Sequence, residues 1–235
     1  MKLLVLAGGF GSRLRSVVAE VPKALAPVGD VPFLHLQIEH WKNQGIKYFV
    51  FLLHHRADLI IGFLRNNQNS LLKDCEVQWL VEPTPMDTGG ALAYAIDHLN
   101  IVDDFLVTNA DTWLGDGITQ VWQAGPLAMA VVKVADAGRY GGVQFDDKNT
   151  ITAFQEKCAD AGTGWINAGL CHLKAEVFKG WNHEPFSLER TTFPALAAKS
   201  ILKAVPLQSN FIDIGIPDDY FRFCRWVESG KRGIM

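Results

Sequence analysis

The sequence predicts an α/β fold: a Rossmann-like, mostly parallel β-sheet with helices on both faces, joined to a strand-rich portion in the same domain. Over the first half of the chain, short continuous apolar runs alternate with segments of helical periodicity, which is typical of βαβ units. After Gly125, short strand-like runs follow one another between Gly, Asp and Asn turns. No Pro- or Ser-rich linker separates the two textures, so we expect a single domain over residues 1–235.

The first predicted strand, Lys2–Leu6, is a continuous apolar run that leads into a glycine-rich loop. A second buried run is Tyr48–Leu53. Between them, Phe33–Gln44 carries apolar residues at mostly helical spacing, and Gly45 is placed to end that helix. These segments form one βαβ unit. The alternation continues with a helix, a strand, a helix and a strand at Ala57–Arg65, Val77–Val81, Gly89–Leu99 and Phe105–Asn109.

The second half is predicted to be richer in strands. Its short strand candidates, separated by turn residues, are Leu127–Val134, Gly141–Phe145, Thr150–Gln155 and Trp165–Leu173. A helix, a strand, a short segment and a closing helix are then predicted at Ser187–Ala198, Leu202–Pro206, Phe211–Ile214 and Pro217–Glu228. Runs of strands followed by helices indicate an α+β arrangement for this half.

The composition is that of an ordinary globular protein with one core, since 49% of the 235 residues are hydrophobic and 20% are charged. The formal net charge of -3 argues against a nucleic-acid partner that is bound through a broad basic surface. We expect a cytoplasmic protein without a membrane partner, because the sequence has no charged leader and no apolar run of about 18 residues. The scattered cysteines form no C-x-x-C pair and suggest neither a zinc ribbon nor a disulfide framework.

The glycine-rich loop, Leu6–Leu14, directly follows the first strand, and the segment Pro22–Pro27 comes shortly after it. In an open α/β sheet, ligands bind beyond the carboxyl ends of the strands, and glycines let backbone amides approach phosphate oxygens. Arg13 and Lys23 supply local positive charge. The loop lacks the G-x-G-x-x-G register of a dinucleotide fold and the G-K-[ST] ending of a P-loop. It therefore predicts a phosphate site of another kind.

This loop resembles the signature of sugar-phosphate nucleotidyltransferases, L-A-G-G-x-G-[ST]-R-L followed by a P-K segment. Further segments occur in that family's order, namely Pro83 with Thr88-Gly89-Gly90-Ala91, Asn109-Ala110-Asp111, Arg139-Tyr140-Gly141, Glu156-Lys157, Ile166-Asn167-Ala168-Gly169 and Phe211–Pro217. The chain is identified as a member of this family on these motifs. The resemblance implies a magnesium-dependent enzyme that transfers a nucleoside monophosphate from a nucleoside triphosphate to a sugar 1-phosphate and releases pyrophosphate.

Within the family, the SRLRSVV, RYGGV and FIDIGIPDDY segments are most similar to D-glycero-D-manno-heptose 1-phosphate guanylyltransferases. The resemblance therefore implies GTP and this heptose 1-phosphate as substrates, in the biosynthesis of nucleotide sugars for cell-surface glycans. Mannose-1-phosphate guanylyltransferases and other hexose-1-phosphate enzymes are the alternatives. Two positions depart from the family pattern, because Ala110 and Asp87 stand where the family commonly has Gly.

The resemblance also implies the site residues. Asp111 and Asp213 would bind Mg²⁺, which prefers one or two carboxylates together with phosphate oxygens and waters. These aspartates form the expected catalytic set with Arg13 and Lys23. The expected nucleotide-binding residues are Leu6, Ala7, Gly8, Gly9, Gly11, Arg13, Lys23, Glu82, Thr88, Gly89 and Asp111. The expected sugar-phosphate-binding residues are Gly141, Glu156, Lys157 and Asn167. Residues 1–125 would thus mainly bind the nucleotide, and residues 126–235 mainly the sugar phosphate.

Two other readings compete with this one. A nucleotide-sugar glycosyltransferase also places an aspartate on magnesium after a buried strand, but it has no triphosphate leaving group for the loop to bind. A non-catalytic nucleotide-sugar sensor would have no need for Arg13, Lys23, Asp111 and Asp213 together. The adjacent His54 and His55 are expected at the rim of the site rather than on a metal, because no third ligand has a recognisable spacing. A homodimer is the default expectation for the assembly.

Overall fold

The computed structural model describes residues 1–155 and 162–230. The strands are β1 Lys2–Leu6, β2 Pro27–Val28, β3 Val31–Pro32, β4 Tyr48–Leu53, β5 Glu76–Val81, β6 Asp104–Asn109, β7 Thr112–Leu114, β8 Ala128–Val134, β9 Val143–Phe145, β10 Ile151–Phe154, β11 Gly164–Lys174, β12 Lys203–Leu207 and β13 Phe211–Asp213. The α-helices are α1 Phe33–Asn43, α2 Ala57–Asn66, α3 Asp87–His98, α4 Ile118–Gln123, α5 Phe193–Ala198 and α6 Pro217–Glu228. None of the helices among these residues is long and apolar enough to cross a bilayer.

The main sheet has seven strands in the order β12-β8-β11-β6-β1-β4-β5. Strand β1 pairs in parallel with β4, and β4 pairs in parallel with β5. Strand β8 pairs in parallel with β12 and antiparallel with β11. This mixed but mostly parallel sheet, connected through helices, confirms the predicted α/β fold.

The chain folds into two compact units. The first consists of Met1–Pro85, Thr108–Gly115 and the described residues of Asn210–Met235. The second consists of Met86–Val107 and the described residues of Asp116–Ser209. The sequence-based expectation that residues before and after position 125 differ in the substrate they bind stays a prediction.

A cluster of buried apolar side chains in the first unit anchors the loop that follows β1. Leu14 and Val18 of this loop pack in the same cluster as Ile212, Ile214 and Phe223 near the end of the chain. Burying an apolar side chain of this size contributes roughly 1.5–3 kcal/mol relative to leaving it exposed. The glycine-rich loop is therefore fixed from one side by β13 and α6.

Helix α1 fixes the connection between β6 and β7. The helix starts directly after Pro32 and ends before Gly45, whose φ of +92° is a conformation that favours glycine. Gln37, which is 1% exposed, donates from Nε2 to the carbonyl oxygens of Thr112 at 2.8 Å and Asn109 at 3.3 Å. These bonds hold the backbone on both sides of position 111, where the sequence places a metal-binding aspartate.

The structure corrects the predicted helices in two places and adds the short strands β2, β3 and β7. The single helix expected over Ser187–Ala198 is a π-helical turn at Leu188–Thr192 followed by α5. Pro194 lies in the first turn of α5 and has no N–H to continue a hydrogen-bond ladder from the preceding turn. Helix α4 was not predicted, because its six residues are too few to show a helical period in the sequence. It begins after Gly117, whose φ of 131° is not helical.

Candidate active site

The loop after β1 is held by hydrogen bonds with the neighbouring strand β4 and with the turn that follows β4. The N–H of Ala7 donates to the carbonyl of Leu52 at 2.9 Å, and the N–H of His55 donates to the carbonyl of Gly8 at 3.3 Å. A Cβ at Gly8 would lie 3.1 Å from Oε1 of Glu82. The loop therefore packs closely enough that a side chain at this position would require Glu82 and His54 to shift.

Gly11 is required for two reasons. Its φ of +64° favours glycine, and a Cβ there would lie 2.9 Å from Cγ of Lys23. A Cβ at Gly9, in contrast, would meet no atom within 4 Å. The loop is thus packed against Lys23 at Gly11 and faces open space at Gly9.

The four predicted catalytic residues lie close together in the first unit. Lys23 Nζ forms an ion pair with Asp111 Oδ2 at 2.8 Å. The position of Gly215 shows how near the other side chains are to one another. A Cβ added there would lie 2.7 Å from Asp213 Oδ1, 3.3 Å from Lys23 Nζ and 3.4 Å from Arg13 Nη2. Gly215 therefore leaves space that three of these side chains approach.

Strand pairing explains why aspartates so far apart in sequence meet. Strand β13 pairs antiparallel with β7, which places Asp213 opposite Thr112. The N–H of Ile214 donates to the carbonyl of Asp111 at 3.0 Å, and the N–H of Ala110 donates to the carbonyl of Leu6 at 3.0 Å. The end of β1, the turn after β6 and the end of β13 thus meet at one place.

The two carboxylates lie in an environment that disfavours two negative charges. Burial, and then the charge of Asp111, raise the pKa of the Asp213 carboxyl above its usual range. The hydrogen bond from Gly215 N at 2.7 Å and the nearby Lys23 and Arg13 act in the opposite direction. Two carboxylates held this close repel each other, and a bound cation would relieve that repulsion.

This donor set fits magnesium. Among residues 1–155 and 162–230, no cluster of three or more His, Cys, Asp or Glu side chains is arranged to hold a metal. A pair of carboxylates beside a phosphate-binding loop suits Mg²⁺, which completes its shell with water and phosphate oxygens, whereas zinc sites use three or four protein ligands. Asp111 and Asp213 are the residues that would hold it.

A cavity of about 40 Å³ lies beside Asp111. Its lining residues are Leu6, Ala7, Gly9, Pro22, Lys23, Ala24, Ala110 and Asp111. This volume is close to the ~30 Å³ that one water molecule occupies in the liquid. Leu6, Ala7 and Gly9 of the loop therefore share one small space with the Lys23–Asp111 ion pair, and Ala110, which departs from the family pattern, forms part of its wall.

The predicted base-side residues fall in both units. Glu82, which is 7% exposed, lies against Gly8 in the first unit. Thr88 and Gly89 belong to the second unit, where Thr88 Oγ1 donates to Glu189 Oε2 at 2.7 Å and accepts from Leu188 N at 2.9 Å. These bonds fix the start of α3 against the π-helical turn. A contact of Thr88 or Gly89 with a base stays a prediction.

The predicted sugar-side residues that the structure describes lie in the second unit. Gly141 has a φ of +83°, and its N–H donates to the carbonyl of Ala137 at 3.1 Å. Asn167 Oδ1 accepts from Gly169 N at 2.9 Å, at an irregularity in the pairing of β11 with β8. Glu156 and Lys157 lie outside the described residues. The sugar-binding roles of all four stay predictions.

Sequence reasoning missed two residues that shape the site. Gln37 orients the backbone around Asp111, and its signal was a polar residue on the apolar face of a predicted helix. Gly215 leaves room beside Asp213, and its signal was a glycine two residues after the predicted metal ligand.

Known proteins resemble the chain over almost its whole length. The profile of the family "Nucleotidyl transferase" matches residues 2–229. A D-glycero-alpha-D-manno-heptose 1-phosphate guanylyltransferase of Campylobacter jejuni is 28% identical over 95% of this chain and 98% of its own. A probable mannose-1-phosphate guanylyltransferase of Oryza sativa is 32% identical over 94% of this chain, which spans 63% of that protein.

Solved structures agree in fold. HddC from Yersinia pseudotuberculosis, crystallised with GMP-PN, has a TM-score of 0.84 and 30% identity, with 96% of this chain and 99% of that chain covered. A putative glucose-1-phosphate thymidylyltransferase from Bacillus anthracis shares the fold at a TM-score of 0.81 and 19% identity. With its glycine-rich loop, its clustered Asp111, Asp213, Arg13 and Lys23, and a family match over residues 2–229, this chain belongs to the nucleotidyl transferase family.

Proposed function

We propose that this sugar-1-phosphate nucleotidyltransferase transfers GMP from GTP to D-glycero-D-manno-heptose 1-phosphate, forming a GDP-heptose and pyrophosphate. The observation that carries the reaction type is the approach of Arg13, Lys23 and Asp213 to the space at Gly215, with Asp111 paired to Lys23. The choice of GTP and heptose is supported by the Campylobacter jejuni relative, whose length this chain almost fully covers.

In the proposed reaction, an oxygen of the sugar 1-phosphate attacks the α-phosphorus of GTP. The new P–O bond forms as the bond between the α-phosphorus and the bridging oxygen breaks, and that electron pair leaves with pyrophosphate. A phosphate monoester has a second pKa of about 6, so the attacking oxygen is largely ionised at neutral pH and needs no protein base. The protein's task is therefore placement and neutralisation of charge.

The chain's own residues divide this task. Arg13 and the loop amides would bind the leaving phosphates, while Lys23 would approach the α-phosphate. Asp111 and Asp213 would hold the metal. Enzymes of this family generally use a divalent metal, and we propose Mg²⁺ because the donor set consists of two carboxylates. When bound, such an ion neutralises phosphate charge and orients the phosphate oxygens.

On the sugar side, Gly141, Glu156, Lys157 and Asn167 are proposed to hold the sugar 1-phosphate. On the base side, Glu82, Thr88 and Gly89 are proposed to contact guanine or its ribose. A homodimer and a cytoplasmic location stay predictions.

The second candidate function is mannose-1-phosphate guanylyltransfer, which is favoured by the 32% identity to the Oryza sativa relative.

A pyrophosphate-release screen tests the proposal. Each of four nucleoside triphosphates is combined with mannose, glucose, N-acetylglucosamine and D-glycero-D-manno-heptose 1-phosphate. We expect the highest kcat/KM with GTP and the heptose phosphate. A higher value with mannose 1-phosphate would favour the second candidate, and pyrophosphate release with none of the sugar phosphates would overturn the enzyme assignment.

A further inference from the structure

A second, larger cavity also borders Lys23 and is lined entirely by residues of the first unit. Its volume is about 200 Å³. It is lined by Phe10, Gly11, Arg15, Val18, Ala19, Val21, Pro22, Lys23, His55 and Arg56. Gly11 and Lys23 belong to the proposed triphosphate site, whereas Arg15, His55 and Arg56 are not among the residues assigned to it.

The size of this cavity limits what it can hold. Pockets for drug-sized ligands are commonly about 300–1,000 Å³, so 200 Å³ is small for an entire nucleotide. At the ~30 Å³ that one water takes up in the liquid, it has room for several small polar groups. One or two phosphate groups match this size.

The lining of the cavity carries excess positive charge. Among residues 1–155 and 162–230, neither Arg15 nor Arg56 has a carboxylate within ion-pair distance, whereas Lys23 is paired with Asp111. Arg15 Nη2 lies 3.4 Å from His55 Nε2. Partial burial, followed by the charges of Arg15 and Arg56, lowers the pKa of His55, as expected beside uncompensated cations.

Backbone contacts connect these cations to the glycine-rich loop. The N–H of His55 donates to the carbonyl of Gly8 at 3.3 Å, and the next residue, Arg56, adopts φ 52° immediately before α2. The half-exposed ring of Phe10 lies 5.2 Å from the ring of His55, measured between centroids. The turn after β4 and the tip of the loop therefore form one wall.

We propose that Arg15, His55 and Arg56 form a subsite for the terminal phosphates of the bound triphosphate and for the pyrophosphate released from it. This inference rests on the proposed function, because it extends the triphosphate site from Gly11 and Lys23 into the adjoining cavity. Pyrophosphate carries several negative charges, and Lys23 is already paired with Asp111. The guanidinium groups of Arg15 and Arg56 provide the donors and the charge that match phosphate oxygens.

The test compares the double variant Arg15→Gln/Arg56→Gln with Lys73→Gln/Lys199→Gln, which removes the same formal charge from exposed positions elsewhere. Calorimetry in chelator measures the binding of inorganic pyrophosphate, GTP and GMP. We expect the arginine variant to bind pyrophosphate and GTP about 10- to 100-fold more weakly, since charge-assisted hydrogen bonds are lost. GMP, which lacks the terminal phosphates, should bind as it does to the wild-type protein. The lysine control should bind all three like the wild type.

Two further readouts keep the inference open to refutation. Arg15→Lys/Arg56→Lys should recover part of the pyrophosphate affinity, because the charge is kept. The salt dependence of pyrophosphate affinity should be shallower in the glutamine variant than in the control. Unchanged pyrophosphate affinity in a variant with a wild-type unfolding curve would overturn the subsite, as would an equal loss for GMP.

This test can fail independently of the proposed function. Pyrophosphate binding requires no sugar and no turnover, so an absent subsite would leave GTP-dependent pyrophosphate release intact. In contrast, wild-type protein that binds pyrophosphate through Arg15 and Arg56 but releases none from any substrate pair would refute the proposed function alone.

Discussion

The two aspartates of the site differ in their surroundings. Asp111 has a direct cationic partner in Lys23, at 2.8 Å. Asp213 is partly buried, accepts a hydrogen bond from Gly215 N and experiences the charge of Asp111. A carboxylate should therefore affect the free energy of unfolding differently at position 111 and at position 213.

We expect Asp213→Asn to stabilise the metal-free protein at neutral pH. The pKa of Asp213 is raised on folding, so its charged form costs stability above its unfolded pKa, and that cost grows until the pH reaches the folded pKa. Asn removes the charge and can keep the hydrogen bond from Gly215. Thermal unfolding in chelator at pH 7 should show a higher Tm than wild type. The difference should shrink below the unfolded pKa of about 3.9, and a lower Tm at pH 7 would contradict this view of the site.

Arg13 is exposed, and its Nη2 points toward the same space as Asp213. Arg13→Ala should reduce turnover by roughly 10²- to 10³-fold, because one preorganised donor to the leaving pyrophosphate is lost. Its unfolding curve should match that of the wild type. Stopped-flow measurement of pyrophosphate release at saturating GTP checks this. A normal rate would remove Arg13 from the leaving-group site.

At the scale of secondary-structure elements, short strands and turns position the two aspartates of the site. The antiparallel pair β7 and β13 brings Asp111 near Asp213, while Gln37 of α1 holds the turn that carries Asp111. In the second unit, the start of α3 packs on a neighbouring segment, where the N–H groups of Gly89 and Gly90 both donate to the carbonyl of Phe186. At Gly89 and Gly90, close packing therefore favours a residue without a side chain.

Gly89→Ala should destabilise the protein by about 1–3 kcal/mol, as overpacking of an interior commonly does. The added Cβ would lie 2.2 Å from Cε2 of Phe186, so the ring has to move. Gly62→Ala in α2 is the matched control, since its Cβ meets nothing within 4 Å and a helix gains roughly 0.5–1 kcal/mol from Ala. Urea unfolding measures both. Adding Phe186→Leu to Gly89→Ala should recover part of the loss, and equal midpoints for the two alanine variants would refute this packing argument.

At the scale of the whole molecule, hydrophobic periodicity was sufficient to predict the main elements. Helix α6 begins and ends where the sequence pattern places it, and β1 and β4 have their predicted bounds. Short elements were missed, because two-residue strands such as β2 and the six-residue helix α4 have too few residues to show a period. The π-helical turn before α5 depends on how Pro194 interrupts hydrogen bonding, which periodicity does not reveal.

For the site, the sequence predicted which residues take part but not how they come together. Motif order was enough to nominate Asp111 and Asp213, but their proximity arises from the pairing of β13 with β7, a long-range contact that no local pattern encodes. The cationic cavity at Arg15 and Arg56 was not anticipated for the same reason, since the two arginines belong to separate loops. Tertiary packing, rather than residue type, determines which charges share a space.

The most direct test of the central claim is pyrophosphate release from GTP and the heptose 1-phosphate by Asp111→Asn and Asp213→Asn. Asp218→Asn, at an exposed position in the first turn of α6, is the control. Wild type and control should be inactive in chelator and regain turnover with Mg²⁺, whereas both site variants should remain folded and lose turnover by orders of magnitude, because metal-ion stabilisation amounts to several kcal/mol. Near-normal, magnesium-dependent turnover by the folded Asp111→Asn protein would contradict the account.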